Sequence, residues 1–459
     1  METMNQNQFN QELKQEKEAM VKNSASRSNN LTVKGLIVFI MVLLLQIPML
    51  FIHSLVNERR YRESEVQEEV SSKWAGSQLV SGPIVMIPYK KDKIKNKAGE
   101  VIDYEKSSIY ILPEELSING KVEPHTRHRS IFDVTVYQAD LNFSGFFQPV
   151  DWKTLNVSLS DLYLNEAQVF FGLSDFRGIE EQLKIKWNDK EYELISGSSF
   201  FTKMNGLVAN IELTPDDLNT KQEFSMQLNV KGSNTLMFTP IGKTNHTQIF
   251  SPWTNPSFTG NFLPNNPADI TESGFQANWK ILYLNRNYPQ IWKDRTYSLY
   301  DSEYGVKLLQ STDSYAKTER SVKYAILFVS LTFALYFFIE ILQKRRVHPL
   351  QYILVGLALC IFYTLLLSFS EYINFNFAYL IAAAATVILI ALYTASAFRK
   401  WTIGGAFGLV LGALYSFIFV LIQLQDRALL FGSIGLFVLL AIAMYSSRKI
   451  DWYQRNDVK

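Results

Sequence analysis

One acidic residue lies well inside a long apolar segment of this 459-residue sequence, and it is Glu340. A carboxylate at membrane depth commonly belongs to a path for protons or cations, or to a charge pair. Lys344 follows four residues later and would share a helix face with Glu340. We weigh two interpretations, an intramembrane functional acid and an ion-paired residue near the membrane boundary, and favour the second.

Two short polar clusters lie at the ends of apolar segments. The first comprises Ser368, Ser370, Glu371, Asn374 and Asn376, and the second comprises Gln423, Gln425 and Asp426. Either cluster could form the mouth of a pathway, although most such clusters are solvated turns. If the two turns are neighbours, Glu371 could pair with Arg427 across them.

Three glycines recur every four residues in one apolar segment, namely Gly404, Gly408 and Gly412. In a helix this spacing places them on one face, where small residues allow a neighbouring helix to approach closely. We therefore predict a helix-packing face here. No GKS or GKT sequence follows, so these glycines are not a phosphate-binding loop.

No catalytic or metal-binding motif is recognisable. The sequence lacks GxSxG, SxxK, CxxC and HExxH patterns, and its single cysteine, Cys360, lies in an apolar segment. His125 and His128 stand in the sequence HTRHR, where the arginines would repel a metal ion and no third ligand is evident. We expect no enzymatic activity, no metal and no cofactor.

Six apolar segments must position these residues. Their approximate bounds are 35–53, 324–342, 350–370, 377–397, 403–422 and 428–446. Because a helix rises about 1.5 Å per residue, roughly 20 apolar residues cross a hydrocarbon core of about 30 Å. Very short connections join the segments within 323–446, which predicts an up-and-down bundle in a lipid bilayer. The first segment lacks a small-residue cleavage site and is interpreted as a retained anchor, not a signal peptide.

Basic residues indicate the orientation. They lie in the connections near residues 345 and 400 and in both chain ends, whereas the alternate connections contribute only Arg427. Short loops rich in Lys and Arg stay in the cytoplasm. We therefore predict that the tails 1–34 and 447–459 are cytoplasmic and that residues 54–322 lie on the opposite side of the membrane.

Residues 54–322 are predicted to form a β-rich domain of two packed sheets, flanked by helices. Helical patterns cover Glu58 to Trp74 and Tyr304 to Tyr324. Short or alternating apolar runs predict strands at 84–89, 108–112, 132–143, 224–230 and 275–283. Hairpin turns are predicted at Asn119-Gly120 and Asn188-Asp189.

An aromatic run interleaved with prolines has two interpretations. It comprises Phe250, Trp253, Phe258 and Phe262. These rings could cap a ligand groove or belong to an ordered loop that lies on the sheet. The net charge of +2, with no clustered basic face and no reader motif, excludes nucleic acid as the expected partner.

Several long stretches resemble one known family. They are SGPIVMIPY (81–89), PSFTGNFLP (256–264), NYPQIW (287–292), TERSVKYAILF (318–328), HPLQYILVGLALCIFYTLLLSFSE (348–371) and DWY (451–453). From about residue 33 to 453 the sequence is similar to the CreD family of inner-membrane, cell envelope integrity proteins. The polar tail before about residue 30 lies outside the resemblance.

The resemblance implies a bacterial inner-membrane protein of envelope maintenance, with residues 54–322 in the periplasm. It carries over no catalytic residue. We expect a non-enzymatic envelope-integrity protein with six membrane spans, whose periplasmic domain contacts an envelope partner or ligand. Two alternatives stay open: a transporter or lipid-handling protein that works through the helices, and a regulatory partner of a two-component system.

Overall fold

The computed structural model describes residues 33–95, 101–150, 152–197, 205–265, 269–308, 314–343, 345, 347–424 and 427–447. The chain divides into two compact units. The helical unit comprises Met1–Arg62 and Thr312–Lys459, and the β unit comprises Glu63–Ser311.

Seven helices occur in the described residues. They are α1 (Val33–Trp74), α2 (Ser314–Lys323), α3 (Ala325–Gln343), α4 (Pro349–Ser370), α5 (Phe375–Phe398), α6 (Trp401–Gln423) and α7 (Ala428–Ser447). The helix predicted to continue from the first span as far as Trp74 is confirmed.

Five of these helices are long and apolar enough to cross a membrane, namely α1 and α3 to α6. The apolar part of α7, Ala428–Ile442, is shorter. The predicted membrane helices are therefore present, whereas the count of six crossings stays a prediction.

Local sequence explains where the helices begin. His348 caps α4 by accepting a hydrogen bond from the Leu350 amide at 3.2 Å, and Pro349 occupies the first turn, where its missing N–H costs nothing. Asn374 caps α5 by accepting from the Asn376 amide at 3.0 Å. These caps allow the chain to reverse within a few residues, as the short connections predicted.

Aromatic rings fill the middle of the helical unit. The Tyr336 ring lies 5.1 Å from that of Tyr352 and 5.5 Å from that of Phe407. Further along, the Phe362 ring lies 4.7 Å from that of Tyr415. Opposite these buried faces, the same helices expose large apolar side chains, including Leu357, Ile361, Phe377, Leu389 and Leu409. An apolar outer surface over a packed interior is what a lipid solvent requires.

The β unit contains seventeen strands in the described residues. They are β1 (Gln78–Lys95), β2 (Val101–Ile111), β3 (Glu115–Arg129), β4 (Phe132–Phe147), β5 (Gln168–Leu173), β6 (Lys184–Trp187), β7 (Lys190–Glu193), β8 (Ile195–Gly197), β9 (Asn205–Asn210), β10 (Gln222–Ser233), β11 (Thr235–Phe238), β12 (Thr244–Ser251), β13 (Pro256–Gly260), β14 (Asp269–Thr271), β15 (Gly274–Leu282), β16 (Ile291–Lys293) and β17 (Tyr304–Leu308).

These strands form two sheets. Sheet A has nine strands in the order β13-β17-β11-β1-β5-β9-β8, with β2 paired to β1 and β16 to β2. Sheet B has eight strands in the order β14-β15-β12-β3-β4-β10-β6-β7. Most neighbours are antiparallel, but β1 with β11 and β12 with β3 are parallel. The β-rich prediction is thus confirmed, with a mixed rather than purely antiparallel pairing.

The two sheets face each other across one apolar core. Phe143 of sheet B and Phe171 of sheet A meet edge to face, with ring centroids 5.9 Å apart. Trp279 of sheet B lies 5.7 Å from Tyr304 of sheet A. The Tyr304 hydroxyl is 2.6 Å from that of Thr247, so this buried polar pair satisfies itself inside the core.

The hairpin predicted at Asn119-Gly120 is wrong, because β3 runs straight through both residues. Alternation continues across them, with Ile118 and Val122 buried in the core. A Cβ on Gly120 would lie 2.7 Å from both Ile249 and Leu141, so glycine is needed here for close packing and not for a turn. The hairpin at Asn188-Asp189 is confirmed by the pairing of β6 with β7.

The helix predicted over 304–324 is wrong in its first part. Tyr304–Leu308 form β17, inserted between β13 and β11, and the helix begins at Ser314. Alternate residues of β17 are buried, namely Tyr304, Val306 and Leu308, as expected for a strand. Packing against the neighbouring strands therefore determines the structure of this segment.

The aromatic run belongs mainly to the core. The Phe258 ring lies 5.8 Å from both Phe275 and Trp279, and the Phe262 ring lies 6.4 Å from Tyr304. Phe250 differs, because 47% of it is exposed on the outer side of sheet B. Packing on the sheet is therefore confirmed for Phe258 and Phe262, and Phe250 is left free to contact a ligand.

Candidate functional site

Glu340 lies in a compact polar cluster where α1 begins and α3 ends. Only 6% of the residue is exposed. Its carboxylate forms an ion pair with Lys34, accepts from the Val347 amide at 2.9 Å and accepts from the Tyr352 hydroxyl at 2.7 Å. Lys34 also donates to the Val347 carbonyl at 2.9 Å. A buried carboxylate with three donors joins α1, α3 and α4 at this end of the helical unit.

The structure shows a partner of Glu340 that the sequence did not indicate. Sequence reasoning proposed Lys344, which lies outside the described residues, and the structure places Lys34 of α1 against the carboxylate. No local spacing could have identified Lys34, since it is 306 residues away. The contact of Tyr352 with Glu340 could not be predicted either, because a tyrosine in an apolar helix does not by itself indicate a hydrogen-bond partner.

Glu371 lies at the opposite end of the same helices. Its carboxylate is 3.5 Å from the Arg59 guanidinium and accepts from the Tyr315 hydroxyl at 3.3 Å. Nearby in sequence, Arg60 pairs with Glu319 at 2.8 Å. The pair of Glu371 with Arg427 that the sequence allowed is not formed among the described residues, because Arg59 of α1 occupies that role.

The two turn clusters are brought together at one contact. Gln423 donates a hydrogen bond of 2.6 Å to the Asn376 side chain, so the turns after α4 and α6 are neighbours. Ser370 is buried and donates to the Leu367 carbonyl, whereas Ser368 is exposed. Asp426 lies outside the described residues. This arrangement fits helix ends held to one another and supplies no aligned donor and acceptor pair for chemistry.

No charged side chain links the two polar ends. Apart from Glu340, the apolar segments predicted as spans contain no Asp, Glu, Lys or Arg. Aromatic rings that meet mostly edge to face pack between the Glu340 and Glu371 clusters, with Tyr379 donating to the Tyr415 carbonyl at 2.8 Å. Glu340 and Glu371 therefore connect neighbouring helices at the two ends of the helical unit through ion pairs and hydrogen bonds.

The three glycines of α6 divide into two groups. A Cβ at Gly404 would lie 2.5 Å from the Ala391 carbonyl oxygen, and one at Gly408 would lie 2.9 Å from the Ala391 methyl group. Gly412 has open space around it. Close packing of α6 on α5 is thus observed at Gly404 and Gly408, and the expectation is wrong for Gly412.

The β unit offers an open surface that sequence reasoning did not single out. A cavity of about 360 Å³ lies on the outer side of sheet B, lined by residues that include Ser117, Ser144, Ser225, Lys186 and Asn188. The serines and Lys186 lie on four adjacent strands, and Asn188 lies in the turn that follows β6. Their polar, period-two spacing in the sequence was the signal available for finding them.

Metal chemistry finds no support in the described residues, where no group of three His, Cys, Asp or Glu side chains converges. In the HTRHR sequence, His128 pairs with Asp133 at 2.5 Å across the β3–β4 hairpin. Both side chains of this pair are exposed at the end of β3.

Comparison with known proteins points in one direction. The family model described as inner membrane protein CreD matches residues 30–453. The inner membrane protein CreD of Escherichia coli strain K12 is 30% identical over 416 residues, which cover 90% of this chain and 91% of that protein. The resemblance found in the sequence is thereby confirmed across nearly the whole chain.

Proposed function

The chain belongs to the CreD family of inner membrane proteins, and from this premise we propose that it is a non-enzymatic protein of cell envelope integrity. Its β unit acts in the periplasm by contacting an envelope ligand or partner. The helices anchor that unit in the bilayer.

The observation that carries the proposal is a contrast between the two units. In the helical unit, Glu340 and Glu371 are engaged by partners on other helices, and aromatic rings fill the space between them. In the β unit, the outer side of sheet B is open, polar and recessed by a cavity of about 360 Å³. Binding surfaces are commonly open positions on a rigid scaffold, which supports an activity of the β unit.

Periplasmic placement is supported by the helix ends. Lys34, Glu340 and Val347 meet at one end of the helical unit, and Lys400 lies 3.5 Å from Gln343 at the same end. The basic loops near residues 345 and 400 therefore share this end with the start of α1, which the positive-inside rule assigns to the cytoplasm. With α7 as a sixth crossing, both chain termini are cytoplasmic.

The second candidate is a transporter or lipid-handling protein. It is favoured by one observation, the burial of Glu340 among apolar helices. It requires the carboxylate to exchange its present partners during a cycle.

One experiment separates the two candidates, in a bacterium that lacks its own member of the family. In one culture, cells producing the Ser144→Cys variant are treated with a bulky, membrane-impermeant maleimide. In a second culture, cells produce the double variant Glu340→Gln with Glu371→Gln at a matched protein level. Resistance to detergent and leakage of periplasmic enzymes are measured. We expect blocked Ser144→Cys to lose barrier function and the glutamine variant, if stably folded, to keep it. The reverse result would overturn the proposal in favour of transport.

A further inference from the structure

We propose that the outer face of sheet B binds an extended, uncharged polysaccharide bearing N-acetyl groups, the chemistry of a cell-wall glycan strand. The inference rests on the proposed function and names the class of ligand for its β unit. A row of amide side chains that crosses five adjacent strands carries it.

The strand register places the five amides in one line. Asn278 of β15 lies opposite Gln248 of β12, and Gln248 lies opposite Asn119 of β3. Asn119 lies opposite Asn142 of β4, which lies opposite Gln227 of β10. All five are exposed, and residues with the same parity on neighbouring strands point to the same face. We refer to this set as the amide row.

The amide row has free hydrogen-bonding capacity. Gln227 donates to Asp140 at 3.2 Å. The side chains of Asn119, Asn142, Gln248 and Asn278 make no hydrogen bond within the described part of the chain. Each amide offers two N–H donors and a carbonyl acceptor, so the row can serve sugar hydroxyls and N-acetyl groups in both directions.

A parallel row of hydroxyls lies beside the amides. Ser117, Ser144 and Ser225 are opposite one another on β3, β4 and β10. They line the cavity of about 360 Å³ together with Lys186 and Asn188. The face therefore has a polar recess beside the amide row, and this recess could hold the side groups of a chain-like ligand.

The chemistry of the face selects among ligands. A lipid would need apolar side chains, whereas Phe250 is the one large apolar residue on the two described rows that flank the amides. A nucleic acid or phosphorylated glycan would need unpaired basic residues, whereas the amide row is uncharged and Lys121 on a flanking row is paired with Glu123 at 2.6 Å. An uncharged glycan matches the amides, and the exposed ring of Phe250 is available for a sugar ring to stack on.

The dimensions also match. Adjacent strands are about 4.8 Å apart, so the amide row extends over about 19 Å. This spacing is close to the rise of one sugar in an extended glycan, so successive sugars can meet successive strands. The row is preorganised, because Ile118, Phe143, Met226, Ile249 and Ala277 anchor the same strands in the core.

The test uses the full-length protein in detergent micelles. Binding is titrated with soluble chitin tetramer and hexamer, which are uncharged chains of N-acetylated sugars. The variant Asn119→Ala with Asn142→Ala removes the centre of the amide row. Its control, Gln168→Ala with Asn210→Ala, removes two paired strand amides from sheet A.

We expect the amide-row variant to bind glycan about tenfold more weakly and the control to match the parent protein. Both should melt at the parental temperature, because surface substitutions cost little stability. Equal binding by the amide-row variant, or binding of phosphorylated lipopolysaccharide in preference to the neutral glycans, would overturn the inference. If the parent protein binds no glycan yet protects the envelope, the inference fails and the proposed function stands. Glycan binding without protection would support the inference and contradict the proposed function.

Discussion

Lys34 and Glu340 are 306 residues apart in the sequence and form an ion pair inside the helical unit. The pair fixes the start of α1 to the end of α3, while Tyr352 adds the first turn of α4. The contribution of this ion pair to stability can be measured by removing one of its two partners.

Replacing Lys34 by Met should leave the Glu340 carboxylate buried without its counter-charge. Removing one partner of a buried ion pair typically costs about 3 kcal/mol or more, and the partial exposure of Lys34 reduces this to about 2 kcal/mol. Thermal unfolding in detergent should therefore begin at a lower temperature in Lys34→Met. Adding Glu340→Gln should recover part of the loss, and strictly additive effects of the two substitutions would contradict the pairing.

The glycines of α6 provide a matched pair of substitutions. Gly404→Ala places a methyl group 2.5 Å from the Ala391 carbonyl oxygen, whereas Gly412→Ala adds one in open space. Overpacking costs about 1 to 3 kcal/mol, so Gly404→Ala should lower the melting temperature and Gly412→Ala should leave it unchanged. Equal melting temperatures for the two variants would show that α5 and α6 are not in close contact at Gly404.

The core of the β unit contains a self-satisfied pair of hydroxyls. Tyr304→Phe removes the partner of Thr247, whose buried hydroxyl then costs about 1 to 2 kcal/mol. Tryptophan fluorescence during denaturation should report this loss. Tyr283→Phe is the control, since Tyr283 is 42% exposed. Combining Tyr304→Phe with Thr247→Val should be milder than Tyr304→Phe alone, and failure to recover stability would argue against the bond.

Asp175 gives the β unit a defined dependence on pH. Hydrogen bonds from the Arg177 side chain, with a further one from the Gly76 amide, lower the pKa of Asp175 from 3.8 to about 2. The folded state therefore favours the carboxylate, and its contribution is present above pH 4 and disappears as the pH falls toward 2. Asp175→Asn should lose about 1 kcal/mol at neutral pH, a value discounted for the exposure of Arg177.

Unfolding of the parent protein and Asp175→Asn, compared between pH 7 and pH 2, checks this prediction. The difference in stability between the two proteins should shrink below pH 4. A difference that stays constant over this range would assign the effect of the substitution to packing and not to the charge.

Labelling of introduced cysteines tests the orientation. Ser273→Cys lies on an exposed turn of the β unit and Arg399→Cys on the turn after α5, while the native Cys360 is buried. In intact cells an impermeant maleimide should label Ser273→Cys and spare Arg399→Cys until the cells are lysed. Labelling of Arg399→Cys before lysis would reverse the proposed orientation.

The sequence alone revealed the apolar helices because hydropathy and length are local properties. The short connections between the segments were equally local. The strand at Tyr304 was hidden, because its identity depends on insertion between β11 and β13, which lie far away in the sequence. The hairpin predicted at Asn119-Gly120 failed for a related reason. The glycine is required there because Ile249 and Leu141 leave no space for a side chain.

The candidate site was harder to predict than the fold. Glu340 and Glu371 stood out as acids near apolar segments, yet their partners Lys34 and Arg59 come from a distant helix. The amide row was invisible for another reason. Single Asn and Gln residues on five strands become a row only when the register between the strands is known.

The strand order of sheet A bears on how the β unit joins the rest of the chain. Gln78, where the chain enters the sheet, and Val306, near where it leaves, are aligned on either side of Leu236 of β11. Two strand spacings separate them, about 10 Å. The chain therefore enters and leaves sheet A at nearly the same place. A linker of a few residues could span that distance. The two-sheet domain is therefore connected like an inserted domain, which could be removed or transferred to another scaffold at this point.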